Sequence, residues 1–559
     1  MYIDMMEIRK RISFQIGLAG SGKSTAIAEY IANTWTLRGL FTELRVLAPT
    51  HNAVENIREK VLREFRRKNN KREKENIDRD IAKFNNSFKT VHSFYRINWK
   101  TNEMLGLSDK DKEVGVIIID EFSLINREIF DKILKCTPLD VDLILIGDPL
   151  QLNSVYLTNS PYYNISFNDL EAIDVAINFL GKENKECNKV SLYKHIHQST
   201  FFNYVNYSNR NLLKYYRENK RHNEKIYSVL SSLKNLDKIE AIDELMENKH
   251  IEIVPKLNTN KLINKGFSVI GATYGILQGV YDNYMLQFQG LPSYVCINQN
   301  VDDISGFKQL HLYEGCPIRF TETNSNKGWY NGQRGKILRI TQSSVFCTCE
   351  LNGEECDYIV DFEHGRYPFG PENIFTIHKA QGYTIDNVLI CIDNMFELTM
   401  MYTAITRAAN AIAFYTNHRN IEKRVFIERI YDSFNWRTIS ILLEMIDTIF
   451  KYKDSPLVSY DKLDVNKNTL CKYTSSPVKL LPLDFVKTNC SNEQDPAHFN
   501  VIPKSKQKII KKNQSIIDIS FDADAEELPE ENNNNNEEDN EDNESNNSEE
   551  EDVHPGWAA

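Results

Sequence analysis

The chain has 559 residues, 41% of them apolar, and a formal charge of −11. That length exceeds one core, no apolar run is long enough to span a membrane, and the start, "MYIDMMEIRKRISFQIG", lacks the apolar stretch of a secretory signal. Sixteen acidic and no basic residues fall between Asp522 and Asp552; without them 67 basic residues face 62 acidic ones, so a mildly basic body open to a polyanionic partner precedes a strongly acidic tail.

In chain order, "RISFQIGLAGSGKSTAIAEYIANTW" reads as strand, glycine loop and helix. "ELRVLAPT" is a second strand, and "NAVENIREKVLREFRRK" spaces Ala53, Val54, Ile57, Val61 and Phe65 as a helix face. "REFRRKNNKREK" reads as a solvated basic helix end, with a phosphate contact or a nuclear signal as the functional alternatives. "VGVIIIDE" and "VDLILIGD" are apolar runs that end in acids, the pattern of buried parallel strands with functional groups at their carboxyl ends. Residues 201–310 mix helical and strand patterns. From 316 to 369, short strands and the turn signals Asn331-Gly332 and Asn352-Gly353 predict a small β-barrel. "NVLICID", a helix through "LTMMYTAITRAAN" and the strand "AIAFYT" complete a second α/β segment. Helix follows over 420–450, and the acidic, asparagine-rich end reads as disordered. No sequence repeat is visible. Ten scattered cysteines fit a reducing, intracellular compartment, cytoplasmic or nuclear; Cys347, Cys349, Cys356 and His364 would form a zinc site only if all four converged, and alternating cysteines on a strand are the plainer reading.

Gly17, Gly22, Lys23 and Ser24 fit G-x-x-x-x-G-K-[ST] between a strand and a helix. Glycines let backbone N–H groups turn toward phosphates, and the helix N-terminus adds its dipole. Gly20, Ser21 and Thr25 complete the nucleotide-binding loop; Lys23 would reach the β- and γ-phosphates and Ser24 would hold Mg²⁺ of bound ATP. In "IIIDEFS", Asp120 would bind Mg²⁺, directly or through water, and Glu121 would orient and deprotonate the attacking water, the alternative being an acidic pair that caps the next helix.

"GLAGSGKST", "APTHNAV", "TVHSF", "DEFSLI", "GDPLQLNSV", "YYR", "TIHKAQGYT" and "YTAITRA" stand in the order of the superfamily 1 helicase motifs, and "APTHNAV" and "TIHKAQG" resemble the RecD-, Pif- and Dda-type DNA helicases of its 1B branch. The resemblance runs from Gly17 to about Ala408. It implies two RecA-like P-loop lobes with nucleotide between them, a wedge insertion in the first and an SH3-like barrel insertion in the second; the acidic tail follows these. The implied boundaries are 1–93 and 114–200 for the first lobe, 94–113 for the wedge, 201–315 and 370–435 for the second lobe, 316–369 for the insertion, 436–520 for a C-terminal extension and 521–559 for the tail.

The resemblance also implies roles. Gln151 would sense the γ-phosphate, Tyr216 would stack on adenine, and Arg217 and Arg407 would both reach the γ-phosphate from the second lobe, with Tyr215 and Arg221 as rivals to Tyr216 and Arg217; Gln381 and Gly382 would face the nucleotide. Pro49, Thr50, His51, Thr90, His92, Thr376 and His378 would touch the nucleic acid. Lys379 could serve either polyanion. Four departures stand out: no glutamine motif precedes Gly17, with Gln15 a poor substitute for reading adenine; Asn153 and Ser154 replace the expected proline region; the wedge holds only a small hairpin, with Trp99 or Met104 as a splitting residue or Trp99 as a buried one; and an insertion of about 50 residues without an interpretable motif separates "GDPLQL" from "YYR". The implied function is an ATP-dependent DNA helicase moving 5′ to 3′ on single-stranded DNA in replication, recombination or repair, a motor that large DNA viruses and phages also encode. Its partners would be single-stranded DNA, single-strand/duplex junctions and single-strand-binding or replication proteins through the C-terminal region, with the motor a monomer or weak oligomer. The alternatives are an RNA helicase, a nucleic-acid-stimulated ATPase without processive unwinding, and a non-motor binding module.

Overall fold

The computed structural model describes residues 12–451 apart from 39–42, 99–102, 112, 155–187, 206–207, 209–212, 219–221, 298–305, 323, 325–326, 352–353, 362–367 and 419–420. Trp99, the 155–187 part of the insertion after "GDPLQLNSV", His364, the extension beyond Lys451 and the acidic tail lie outside the described residues.

The strands are β1 (Ile12–Gly17), β2 (Leu44–Ala48), β3 (Phe88–Thr90), β4 (Val116–Ile119), β5 (Asp142–Gly147), β6 (Lys214–Tyr216), β7 (Glu252–Ile253), β8 (Phe267–Gly271), β9 (Ser293–Ile297), β10 (Gln309–Tyr313), β11 (Pro317–Phe320), β12 (Arg334–Ile340), β13 (Ser344–Leu351), β14 (Glu354–Asp361), β15 (Phe369–Pro371), β16 (Ile374–Thr376), β17 (Ile385–Cys391) and β18 (Ala408–Tyr415). A six-stranded parallel sheet in the order β3-β2-β4-β5-β1-β6 forms the first lobe, and a five-stranded parallel sheet in the order β16-β8-β17-β18-β7 forms the second. The orders are the same over five strands, so the architecture repeats where the sequence does not. β1, β4 and β5 are buried along their whole length, because helices cover both faces of such sheets.

β6 corrects the expected boundary at 201. Its residues Lys214, Tyr215 and Tyr216 pair with Gln15, Ile16 and Gly17, so the chain returns to the first sheet before entering the second lobe. A three-residue strand is too short to show a periodicity in sequence. The Trp436–Lys451 helix also packs back on the first lobe: Thr438 Oγ1 accepts the Asn188 N–H at 3.1 Å, and Phe450 lies 5.2 Å from the Tyr215 ring.

The insertion is a five-stranded antiparallel sheet, β14-β13-β12-β11-β15, with β14 and β15 as its edges. Cys347 and Cys349 are buried on β13, and no group of three or more His, Cys, Asp or Glu among the described residues could hold a metal ion. Arg319 on β11 is buried over the rings of Phe375 and Tyr383, 4.6 and 5.1 Å from their centres, and ties this sheet to the second lobe. At the wedge position, Ile97 and Met104 bridge antiparallel and the Asn98 N–H donates to Glu103 O at 2.8 Å. The basic run after Phe65 is a solvated helix end with internal ion pairs: Arg67 to Glu64 at 2.7 Å and Arg72 to Asp80 at 2.9 Å. Among the described residues no helix is long and apolar enough to cross a membrane.

Candidate functional site

The phosphate loop follows β1. Gly20 and Gly22 have φ of 79° and 84°, which a side chain would strain, and the Lys23–Arg38 helix starts at the lysine. A Cβ on Gly17 would lie 2.7 Å from Tyr216 O and 2.5 Å from Ser21 Oγ, so only glycine lets β6 pass here. Tyr216 flanks the loop and its phenol donates to Gln15 Oε1 at 3.1 Å. The glutamine set aside as a poor adenine reader is thus partnered with the proposed adenine-stacking aromatic.

Lys23 is buried, with Nζ 3.4 Å from Leu18 O. Ser24 Oγ donates to Asp120 Oδ1 at 3.4 Å, so the end of β4 meets the loop. Burial, with Glu121 beside it, pushes the Asp120 carboxyl up to about 6, against the pull of Lys60 and Lys23. Glu121 sits at φ 54°, a left-handed conformation that turns the chain sharply after the strand. Its N–H donates to Asp120 Oδ1 at 3.0 Å.

Asp148, just beyond β5, is the acid that closes the "VDLILIGD" run, to which the sequence assigned no role of its own. It is fully buried and accepts from the Leu150 N–H at 3.0 Å, from Gln151 Nε2 at 3.3 Å and from Tyr402 Oη at 3.2 Å. Burial raises its carboxyl while Lys23 and Arg407 oppose that. Arg407 enters from the second lobe, fully buried, with Nε donating to Thr403 O at 3.3 Å and Nη1 to Tyr383 O at 3.4 Å; Glu121 and Asp148 supply the charge facing it. Arg217 does not come from that lobe: it follows β6 in the first sheet, is 63% exposed, and pairs with Asp447 at 2.9 Å.

Leu152 is clamped from across the cleft. Its N–H donates to Thr403 Oγ1 at 3.2 Å and its carbonyl accepts from Gln381 Nε2 at 3.0 Å. Asn153 Nδ2 donates to His195 O at 2.8 Å, and His195 Nε2 donates to Pro149 O at 2.8 Å, which fixes the loop between Asp148 and Asn153. Gln381 therefore touches the loop between Asp148 and Asn153. Gly382 does not: at φ 81° its carbonyl accepts from Asn56 Nδ2 at 3.0 Å, and a Cβ there would stand 3.7 Å from Ala53 on the His51–Lys68 helix. Tyr383 hydrogen-bonds Asn52 of the same helix.

The proposed strand contacts sit at carboxyl ends of strands in both lobes. Thr50, Thr90 and Thr376 each cap a helix, accepting the N–H of Ala53 at 3.2 Å, Ser93 at 3.1 Å and Lys379 at 3.4 Å. Thr50 is exposed and Pro49 half-buried, whereas Thr90 and Thr376 are buried. β3 and β16 are edge strands of their respective sheets, so "TVH" and "TIH" occupy matching places. Burial lowers the pKa of His51 and His92, and that of His378 to about 4. These rings are neutral near pH 7 and suit stacking better than charge neutralisation. His378 Nε2 lies 3.6 Å from Glu397, whose carboxyl burial pushes up to about 7. His51 also meets the antiparallel sheet, 5.9 Å from the Tyr330 ring. Lys379 is exposed, 5.3 Å above the Tyr274 ring.

The site fits a polyanionic nucleotide and its metal. Ser21 Oγ, Glu121 Oε2, Ser123 Oγ, Gln151 Oε1 and Gln381 Oε1 are buried without a protein partner, on the elements that converge at the loop. Buried polar atoms of this kind are costly unless a ligand or water pairs them. No role was assigned from sequence to Asp148, Tyr402, Thr403, Asn52 or Asn56. Only Asp148 carried a local signal, an acid closing an apolar strand.

Residues 3–157 match the model of a family described as an AAA domain. The chain is 24% identical over 391 residues to the ATP-dependent DNA helicase Pif1 of Campylobacter jejuni, covering 59% of this chain and 78% of that one. It is 22% identical over 478 residues to the RecBCD enzyme subunit RecD of Buchnera aphidicola, covering 76% and 73%. Among solved structures it resembles that of two coordinating Pif1 helicases at forked double-stranded DNA, with 17% identity, a TM-score of 0.48, and 82% and 98% coverage.

Proposed function

We propose that the chain is a superfamily 1 helicase of the Pif1/RecD kind, as its likeness to those helicases supports, and an ATP-driven motor with two RecA-like lobes that moves 5′ to 3′ along single-stranded DNA and unwinds duplex in replication, recombination or repair. The observation that carries this reading is the clamp on Leu152. The loop that presents Asp148 and Gln151 to the phosphate loop is held at both backbone groups of Leu152 by Thr403 and Gln381 of the other lobe. Any shift of the second lobe therefore moves the groups nearest the nucleotide.

In this mechanism the loop N–H groups and Lys23 hold the phosphates, and Glu121 orients and deprotonates water. Mg²⁺, held by Ser24 and Asp120, would supply charge neutralisation at the transferring phosphoryl group. Arg407 is the planar cation for the charge-dispersed transition state, a role that contributes on the order of 10³–10⁵ in rate in related phosphoryl-transfer sites. It reaches the site from the second lobe, so hydrolysis depends on closure, and closure brings Thr376 toward Thr50 and Thr90 along the strand. Tyr216 offers an aromatic face for the base and Arg217 a surface cation at the rim. The antiparallel insertion, in the SH3-like role, encloses the strand beside His51.

The test is ATP hydrolysis stimulated by DNA and by RNA oligonucleotides, followed by unwinding of forks with a 5′ or a 3′ overhang. Lys23→Ala is expected to abolish stimulated hydrolysis. An unchanged rate would remove the proposed site, stronger stimulation by RNA would favour an RNA motor, and unwinding only from the 3′ overhang would overturn the polarity.

A further inference from the structure

The turn between β11 and β12 has no part in the phosphate chemistry, and its sequence "KGWYNGQRGK" sets two aromatic residues side by side. They go opposite ways. Trp329 is buried, its ring stacked on Phe320 at 5.1 Å and edge-on to Tyr358 at 6.1 Å. Tyr330 is 38% exposed and points out of the insertion: its ring stands 5.9 Å from that of His51 in the first lobe, tilted by 52°. A tyrosine placed for stability alone is packed as Trp329 is; this one is held out on a turn, against a proposed strand contact.

The turn is built to hold it there. The Tyr330 N–H donates to Gln333 Oε1 at 3.2 Å, Gln333 Nε2 donates to Tyr358 Oη at 3.2 Å, and the Gly332 N–H donates to Phe320 O at 2.7 Å. A Cβ on Gly332 would overlap the side chain of Asn52, the residue after His51, so glycine is what lets the turn sit against the start of the His51–Lys68 helix. Thr50, exposed just before His51, caps that helix. A phosphate at this helix start leaves its base beside the next ring, that of His51. Two rings with a base between them stand about 7 Å apart, twice the carbon contact distance of about 3.5 Å. A slot of that width needs an opening of about 1 Å and a turn of the exposed Tyr330 ring, not a movement of the lobes.

We propose that Tyr330 is a strand-binding residue that forms with His51 a slot for one unpaired base of single-stranded DNA. The proposal rests on the single-strand reading of the His51 face and adds the residue by which the insertion grips the strand. Every base has a flat π-face, so the slot is indifferent to sequence, as a motor moving along any strand requires.

The unsubstituted full chain, Tyr330→Ala and Tyr330→Phe are titrated with a short fluorescein-labelled oligodeoxythymidylate and with an abasic deoxyribose-phosphate strand of the same length and label. Tyr330→Ala is expected to bind the thymidylate about five- to a hundredfold more weakly, because it loses one stacked base, and to bind the abasic strand as the unsubstituted chain does. Tyr330→Phe keeps the ring and is expected to match the unsubstituted chain on both strands. Unchanged thymidylate affinity in Tyr330→Ala, an equal loss on both strands, or a loss in Tyr330→Phe as large as that in Tyr330→Ala overturns the proposal. Failure of the unsubstituted chain to bind either strand removes the single-strand reading on which the proposal stands.

Discussion

Asp120 and Asp393 follow corresponding strands of the two lobes: β4 lies between β2 and β5, and β17 between β8 and β18. Both are buried acids just beyond an apolar strand. Asp393 is fully committed, accepting from Thr416 Oγ1 at 2.6 Å, the Asn417 N–H at 2.7 Å and Arg429 Nη2 at 3.4 Å. Asp120 has its own neighbour's N–H and a long contact from Ser24. The same position in the same sheet is a structural tie in one lobe and an underpaired charge facing a phosphate cradle in the other. What separates site from scaffold here is satisfaction of hydrogen bonds.

Swapping each acid for its amide breaks this comparison most sharply. Asp120→Asn is expected to reduce DNA-stimulated ATP hydrolysis by about 10²- to 10³-fold or more without lowering the thermal unfolding midpoint. Asp393→Asn is expected to cost about 3 kcal/mol in urea unfolding, since it weakens three hydrogen bonds to a buried carboxylate. If Asp393→Asn were silent in stability and Asp120→Asn were the destabilising change, the contrast would be wrong.

Thr403→Val sharpens the comparison at the cleft. It leaves the buried Leu152 N–H without its acceptor, an effect of about 1–3 kcal/mol. Stimulation by single-stranded DNA should fall roughly tenfold while the basal rate holds. Stimulation at the unsubstituted level would show that the clamp does not transmit between lobes.

A smaller effect concerns the loop after Asp148. Burial lowers His195 to about 4 while its Nε2 donates to Pro149. The unfolded chain takes up this proton near pH 6.5 and the folded chain only near pH 4. Stability is therefore intact above about 6.5 and is lost as pH falls through that window, by about 3 kcal/mol in all. His195→Asn should flatten the corresponding part of an unfolding-versus-pH curve; an unaltered slope would mean that this ring titrates normally.

These contrasts also bound what the sequence could reveal. Gly17, Lys23, Ser24 and Asp120 were legible because their chemistry is local: a cradle needs glycines at fixed spacing, and a buried parallel strand announces the acid at its end. The β-rich insertion was legible from its turns. β6 was not, since three residues carry no period, and its return to β1 drew Arg217 out of the lobe expected for it. Gly382 was misdirected because a glycine's need for positive φ says nothing about which neighbour it faces. Tyr402 and Asp148 meet across 254 positions, and nothing local in "MMYTAITRA" distinguishes a tyrosine reaching the other lobe from one filling a core.

The claim that one ATP site is built from both lobes is tested most directly by Arg407→Lys, which keeps a positive charge and removes the planar fork. The measurement is DNA-stimulated ATP hydrolysis alongside single-stranded DNA binding by the same protein. The account predicts a fall of about 10³-fold or more in the hydrolysis rate with DNA affinity retained; hydrolysis near the unsubstituted rate would contradict it.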